Sequence, residues 1–363
     1  MKQVLSFLLL CVAVLTSGQV RAQPDYAALN RALTERIVIP GYERMAGAMA
    51  GLDTATAAFC AGPSADSLTA AEDAFHAAMH AWQRVQPIVF GPVSWDGRNA
   101  RVQFWPDTTG ATARQVRRAL KAQDPALLAP GGLRGKSVAL QSLATYERLV
   151  FGHGERVASG QGTAADLYAC EFAAAIARFQ AELSAQILED WIMPGGFREA
   201  MLTAAEGNEH YAEAKEAAAD FLKSLSSTLD LAIRRKLERP LGKTIETARG
   251  KRTESWRSER SRDNLLANLE TARALYDLPG GFGDLLAAAG AEPLDQGLRK
   301  TFAGVIDATR SIAPPLHAAV ADPAARPHVE TLVKRLKGLR LLIGGAVAGE
   351  VGLIVGFNAH DGD

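Results

Sequence analysis

The chain has 363 residues, with 40 basic and 40 acidic side chains and a formal net charge of zero. A balanced chain has no overall positive field, so it is not expected to bind nucleic acid or an anionic membrane through bulk charge. At this length the chain can bury a large core, and we expect that core to divide into two lobes.

The first residues have the pattern of a secretory signal peptide. Lys2 gives a positive start, residues 4–15 are an apolar run, and Ala22 ends a short segment that a signal peptidase tolerates. The apolar run is shorter than the ~20 residues that a spanning helix needs. We therefore expect cleavage after Ala22 and a periplasmic mature chain, residues 23–363, without a transmembrane segment.

Helical periodicity dominates the rest of the sequence. Strong helix formers are abundant, runs of alternating β-branched residues are nearly absent, and Pro-Gly pairs punctuate the periodic stretches. The predicted helices cover residues 25–50, 67–87, 111–122, 136–152, 164–190, 207–238, 262–276, 294–312 and 325–348.

Long helices joined by such breaks predict an all-α fold of two antiparallel helical bundles. The N-terminal lobe is expected over residues 23–190 and the C-terminal lobe over residues 191–363. Ile39-Pro40-Gly41-Tyr42 and Met193-Pro194-Gly195-Gly196-Phe197 are weakly similar to each other. They suggest an ancient duplication, although chance similarity is a fair alternative.

The predicted helix 67–87 carries a polar flank beside its apolar stripe. His76 and His80 are one helical turn apart, a spacing with which two histidines can share a metal ion. Trp82 lies on the apolar stripe. No Glu follows His76 in the arrangement of zinc peptidases. The flank therefore indicates either a metal contact at His76 or an ordinary solvated helix face.

The irregular stretch from residue 86 to residue 110 is rich in aromatic side chains and contains Trp105 and Asp107. Long loops are usually functional or disordered, and aromatic residues argue against disorder. We interpret the stretch as either the rim of a ligand site or a plug that closes the bundle.

Glu147 lies on an apolar helix face, since it follows the helical spacing of Leu140, Leu143 and Val150. A buried carboxylate is costly unless it is paired or binds a cation. Arg148 is adjacent in sequence but points about 100° away, so Glu147 needs another partner. Glu147 therefore indicates either a functional site or a structural pair with a distant Arg or Trp N–H.

Two cysteines remain after residue 22, Cys60 and Cys170. An exported protein meets an oxidising compartment, which favours a disulfide between them. Two separate buried thiols are the alternative.

The order of several motifs resembles the imelysin family, also called the M75 peptidase-like or iron-regulated-protein-A-like family. Residues 81–92, from Ala-Trp to Phe-Gly-Pro, are similar to the family's Ala-Trp helix, and residues 104–107, Phe-Trp-Pro-Asp, to a subgroup signature. The family's Gly-x-His-x-x-Glu motif matches a run in which Ser142 replaces the Gly, Ala144 replaces the His, and only Glu147 is kept.

The second half of the chain adds two similarities to the same family. Ser258, Ser261 and Asn264 look like the start of its second-lobe helix, and residues 355–363 resemble its ending. The resemblance implies two helical bundles with a site near their interface, an extracytoplasmic location and a link to iron acquisition.

The resemblance also implies a peptidase label, which Ala144 weakens because it removes a metal ligand. No other catalytic motif is present, so we do not expect an enzyme. We expect instead a periplasmic binding or accessory protein whose ligand is unidentified, with a divalent metal or iron as candidates and metal-uptake components as partners. The alternatives are an M75-type metallopeptidase and a purely structural partner of a metal-uptake system.

The expected roles divide among a few side chains. Glu147 is the acidic anchor, Arg148 is a charge partner, tryptophans form the walls, and Glu147 and His76 are the metal candidates. The expected ligand-binding residues are Glu147, Arg148, His76, Trp82, Trp105 and Asp107.

Overall fold

A computed structural model describes residues 24–354, and within that range the chain is helical without any strand. The predicted all-α class is confirmed. The predicted signal peptide, residues 1–22, and the tail, residues 355–363, lie outside the described residues. No helix of residues 24–354 combines the length and the hydropathy that a membrane crossing requires.

The first half of the chain builds an N-terminal bundle in which α2, α3, α7 and α8 pack against one another. Its helices are α1 (Tyr26–Leu33), α2 (Ile39–Ala61), α3 (Ala65–Val85), α4 (Arg98–Val102), α5 (Ala111–Ala122), α6 (Val138–Gln141), α7 (Leu143–Ala158) and α8 (Ala164–Ile192). A π-helical turn, Thr34–Val38, joins α1 to α2, and a 3-10 segment, Gly91–Gly97, precedes α4.

Side-chain caps and a disulfide fix the ends of these helices. Ser64 and Ser67 form a reciprocal capping box at the start of α3, and Thr163 and Asp166 form another at the start of α8. The predicted disulfide is confirmed, because Cys60 at the end of α2 is bonded to Cys170 near the start of α8, with their Cα atoms 5.7 Å apart.

The second half builds a C-terminal bundle from α10, α12, α14 and α16. Its helices are α9 (Phe197–Leu202), α10 (Ala214–Asp230), α11 (Arg239–Leu241), α12 (Ser261–Asp277), α13 (Phe282–Ala288), α14 (Glu292–Arg310), α15 (Leu316–Ala319), α16 (Arg326–Leu341) and α17 (Ala348–Glu350). π-helical stretches, Leu231–Glu238 and Leu342–Val347, follow α10 and α16.

The two bundles share one continuous apolar core that runs from Leu29 to Leu353. Helix α12 packs on α3, and α1 packs on α10, so the N-terminal helix α1 packs against the C-terminal bundle. Loops from both lobes meet beside the contact between α3 and α12.

The structure differs from the sequence predictions at several helices. The helix predicted over 207–238 begins only at Ala214, and the short helices α4, α9 and α13 were not predicted. The first long helix continues past residue 50 to Ala61, because Leu52, Thr56 and Phe59 extend its buried face. The helix predicted over 136–152 is interrupted at Ser142, whose extended backbone (φ −87°, ψ 159°) ends α6 and begins α7.

The two weakly similar stretches have different structures. Residues 39–42 continue a helix at the start of α2, whereas residues 193–196 form the turn between α8 and α9, with Gly195 at a φ of 73°.

Candidate functional site

A cleft of about 320 Å³ lies where loops of the two lobes meet. The N-terminal lobe supplies one wall from residues 103–113 and from the start of α7. The C-terminal lobe supplies the other wall from Arg239 and from residues 251–257. Of the side chains predicted to bind a ligand, Glu147, Arg148, Trp105 and Asp107 all line this cleft.

Glu147 is buried in the first turns of α7, as its helical spacing predicts, and only 4% of it is exposed. Its Oε1 accepts hydrogen bonds from the Arg257 amide (3.1 Å), the Ser258 amide (2.9 Å) and the Ser258 hydroxyl (2.9 Å). Its Oε2 takes no hydrogen bond from residues 24–354. Burial raises the pKa of Glu147, although the Ser258 donors and Arg257 oppose that effect.

The loop that holds Glu147 is itself organised by side chains near the start of α12. The Ser261 hydroxyl donates to the carbonyl of Glu254, and the Asn264 amide donates to the Ser255 hydroxyl at 3.0 Å. Ser255 has a φ of 48°, a left-handed conformation that turns the chain towards α7. The motif Ser258, Ser261 and Asn264 therefore shapes the cleft wall that binds Glu147.

Asp107 lines the cleft, but its oxygens anchor α5. Oδ1 accepts from the Ala111 amide at 3.0 Å and Oδ2 from the Thr112 amide at 2.8 Å, and Thr109 donates to Oδ1 as well. Burial alone would raise the pKa of Asp107, yet the bonds from Thr112, Ala111 and Thr109 together lower it. Asp107 is therefore held as a carboxylate by the helix start.

Cations dominate the lining of the cleft. The five are Arg148, Arg239, Lys251, Arg252 and Arg257. Trp256 orders two of them, because the Arg257 guanidinium lies 4.3 Å and the Lys251 ammonium 5.3 Å from the ring centroid. Trp105 and Phe104 add apolar surface to the N-terminal wall.

Burial and like charges lower the pKa of several of these arginines. Burial, followed by the charge of Arg148, lowers the pKa of Arg257 to about 10. Burial also lowers the pKa of Arg148, with a further contribution from Arg117, and the pKa of Arg239, with a further contribution from Arg252. Glu147 opposes this effect at Arg148 and Arg257, and Asp107 opposes it at Arg148 and Arg239, but the pKa of all three arginines is still lowered.

The structure places His76 in a different cleft, lined by residues 258–263 and 313–315. Its Nδ1 lies 2.9 Å from an Arg260 guanidinium nitrogen, and burial and Arg260 lower its pKa, so it accepts this hydrogen bond as a neutral ring. His76 and Glu147 are therefore not brought together in one cleft. Metal binding by this pair stays a prediction.

Trp82 is buried below the cleft, where its Nε1 donates to Gln103 Oε1 at 2.7 Å. Gln103 lines the cleft and also donates to Glu254 Oε1 at 3.0 Å. Trp82 thus supports a cleft residue instead of forming a wall itself.

The same network contains a buried ion pair of the C-terminal lobe that hydrogen-bonds to glutamines of the N-terminal lobe. Lys236 Nζ lies 2.7 Å from Glu254 Oε2 and donates to Gln83 Oε1 at 2.6 Å. Gln83 in turn donates to Gln103 at 3.0 Å. Lys236 occupies the π-helical stretch after α10, an irregularity that often occurs near functional sites.

The sequence analysis singled out neither Lys236 nor Glu254 as a site residue. No local pattern could have found the network that joins them to Gln83, since Gln83 is 153 positions from Lys236 and 171 from Glu254.

The donor set of the cleft does not fit a bare divalent cation. Such ions need several convergent oxygen, nitrogen or sulfur ligands. Within residues 24–354, no three or more His, Cys, Asp or Glu side chains are grouped closely enough to hold a metal ion. In the cleft, both oxygens of Asp107 and one oxygen of Glu147 are already bound by N–H or O–H donors.

Comparisons with known proteins agree with this architecture. The sequence model of the imelysin family matches residues 38–343. A crystal structure of an imelysin-like protein from Psychrobacter arcticum 273-4 has a TM-score of 0.75 at 19% identity, covering 91% of this chain and 98% of that one.

A second solved structure, from Parabacteroides distasonis ATCC 8503, is described as an iron-regulated protein A-like precursor. It has a TM-score of 0.77 at 17% identity, covering 92% of this chain and 97% of that one. Identities this low show a shared fold alone. No curated protein sequence is significantly similar to the chain.

Proposed function

Because the chain belongs to the imelysin family, we propose that it is a binding or accessory protein and not a peptidase. It takes its ligand in the cleft beside Glu147 and serves the acquisition of iron or another metal outside the cytoplasm. Metal-uptake components of the periplasm or membrane are its partners.

The observation that carries this proposal is the position of Ala144. It lines the cleft one turn before Glu147, at the position where the family's motif has a histidine. A hydrolytic zinc site uses three protein ligands and an open position. Here the cleft keeps the carboxylate, has a methyl group in place of the imidazole, and is surrounded by cations and aromatic rings, which suits binding better than hydrolysis.

Two further findings support the metal-acquisition part of the proposal. One structural neighbour is described as an iron-regulated protein A-like precursor. The sequence pattern of residues 1–22 is typical of export, which fits a role in capturing nutrients outside the cytoplasm.

The proposal is tested by filling the cleft. Purified residues 23–363 are incubated with ferric citrate, or with Fe²⁺, Zn²⁺ or Cu²⁺ salts, and desalted, and the retained metal is measured by mass spectrometry. The variant Ala144→Phe places a ring in the cleft, and Ala70→Phe places one on the exposed face of α3 as a matched control.

We expect wild type and Ala70→Phe to retain stoichiometric iron supplied as ferric citrate and Ala144→Phe to lose it. Equal retention by all three proteins, or none by wild type, would contradict the proposal. Chelator-sensitive cleavage of a protein substrate by wild type but not by Ala144→Phe would assign the cleft to a metallopeptidase instead.

A further inference from the structure

The charge of the cleft specifies what kind of ligand it takes. Five cationic side chains and two carboxylates line it. The carboxylates are already engaged, since Asp107 binds amides at the start of α5 and Glu147 binds the loop of residues 255–258. The cations therefore determine the charge that a ligand meets.

These five cations differ from the other arginines of the fold. Elsewhere, several buried or half-buried arginines have carboxylate partners, as Arg98 has Asp190 at 2.6 Å and Arg326 has Glu330 at 2.8 Å, and Arg101 and Arg178 donate to backbone carbonyls. Within residues 24–354, none of the five cleft cations forms an ion pair or a side-chain hydrogen bond. Unpaired guanidinium groups gathered in one place repel one another, and an anion that bridges them removes that cost.

The geometry limits the size and chemistry of such an anion. A volume of about 320 Å³ lies at the lower end of the range usual for small-molecule pockets. Trp256 holds the Arg257 guanidinium over its ring, which preorganises one donor group before the ligand arrives. The aromatic walls at Phe104 and Trp105 suit the carbon skeleton of an organic ligand.

We propose that the ligand of this cleft is a small anion with at least two carboxylate or phosphate groups, and that a metal enters the cleft only as part of such an anion. This inference rests on the proposed function, because it uses the same cleft. It adds the sign of the charge that the ligand carries. The ligand that we propose is an anionic metal complex or a metal-free anion, and not a bare metal ion bound at Glu147.

The test is isothermal titration of purified residues 23–363 with four probes: citrate, inorganic phosphate, ZnCl₂ and FeCl₂, in a buffer free of both anions. Arg257→Gln and Arg148→Gln each remove one cleft charge. Arg118→Gln removes the same charge from an exposed position of α5 outside the cleft. Two different cleft variants are used because a folding defect in one of them would not explain a loss of binding in both.

We expect citrate to bind wild type and Arg118→Gln alike, and to bind each cleft variant about tenfold or more weakly, as for the loss of one charge-assisted hydrogen bond. The affinity should fall as NaCl is added. Inorganic phosphate, which carries a single anionic group, should bind more weakly than citrate, and phosphate binding as tight as that of citrate would contradict the need for two groups.

Citrate and phosphate binding that is equal in all variants, or absent from wild type, would overturn the inference. Binding of Zn²⁺ or Fe²⁺ alone that Ala144→Phe abolishes would overturn it too, while leaving the proposed function intact. Conversely, charge-dependent citrate binding without metal retention would keep the inference and remove the link to metal acquisition.

Discussion

The Glu147 carboxyl group lies in an environment of peptide amides and one hydroxyl. Burial favours its protonated form, and the donors from Ser258 and Arg257 oppose this without cancelling it, so its pKa is raised. The folded chain therefore binds this proton more tightly than the unfolded chain does. Between the unfolded pKa and the raised folded pKa, the stability contributed by this residue falls as the pH rises.

Replacing Glu147→Gln keeps an oxygen for the two amides and removes the charge that burial disfavours. We expect the variant to gain stability relative to wild type as the pH rises from about 4 towards neutrality, by about 1.4 kcal/mol for each unit by which the pKa is raised. Urea unfolding at several pH values measures this, with the exposed Glu155→Gln on the same helix as control. A relative loss of stability at higher pH would show instead that the amides outweigh burial.

The sequence predicts the burial of Glu147 because Leu143 and Val150 define the same helix face. It does not predict the partners. They lie 110 and 111 positions away and are mainly backbone amides. Every non-proline residue carries such an amide, so the amino-acid type gives no signal of this contact.

At the scale of elements, α5 begins where Asp107 accepts the amides of Ala111 and Thr112. These amides belong to the first turn of the helix and have no acceptor within it. A carboxylate there also interacts favourably with the positive end of the helix dipole. The same residue therefore sets the start of α5 and the N-terminal edge of the cleft.

We expect Asp107→Ala to lower the free energy of unfolding by about 1–2 kcal/mol at neutral pH. The pKa of Asp107 is lowered in the folded state, so its stabilisation is present above the unfolded value of about 4 and disappears as the pH falls through the folded one. The deficit of the variant should therefore shrink in acid. Asp307→Ala, at a side chain 72% exposed, is the control, and equal losses in the two variants would contradict this role.

Helix ends are predictable where turn chemistry marks them. Gly110, at a φ of 69°, precedes α5, and the predicted and observed limits of that helix agree. Within residues 86–110, by contrast, α4 depends on distant contacts such as that between Arg98 and Asp190 on α8. Periodicity cannot reveal a short helix of that kind.

At the scale of the whole molecule, two lobes were predictable from length and from the breaks between helices, but the way they are joined was not. The junction beneath the cleft is polar: Lys236 and Glu254 of the C-terminal lobe bind Gln83 and Gln103 of the N-terminal lobe. Because Gln103 also lines the cleft, the packing of the lobes and the shape of the site depend on one network.

Removing one charge of this network leaves the other buried without a counterion. The Lys236 and Glu254 side chains are each only 2% exposed, so we expect Lys236→Met to cost about 3–5 kcal/mol. The double variant Lys236→Met/Glu254→Gln leaves no unpaired charge and should recover much of that loss. Urea unfolding of both proteins measures the difference.

The pair between Lys337 and Glu238 provides the comparison, because its side chains are 55% and 38% exposed. Water screens that pair, so Lys337→Met should cost only about 0–1 kcal/mol. If Lys236→Met were no more destabilising than Lys337→Met, the network would not be what holds the lobes together at the cleft. If the single variant is unstable and the double variant recovers, the loss comes from one buried charge left without its partner. The lobes would then keep their packing at the cleft without the ion pair, through uncharged contacts such as the hydrogen bond between Gln83 and Gln103 and the burial of α3 against α12.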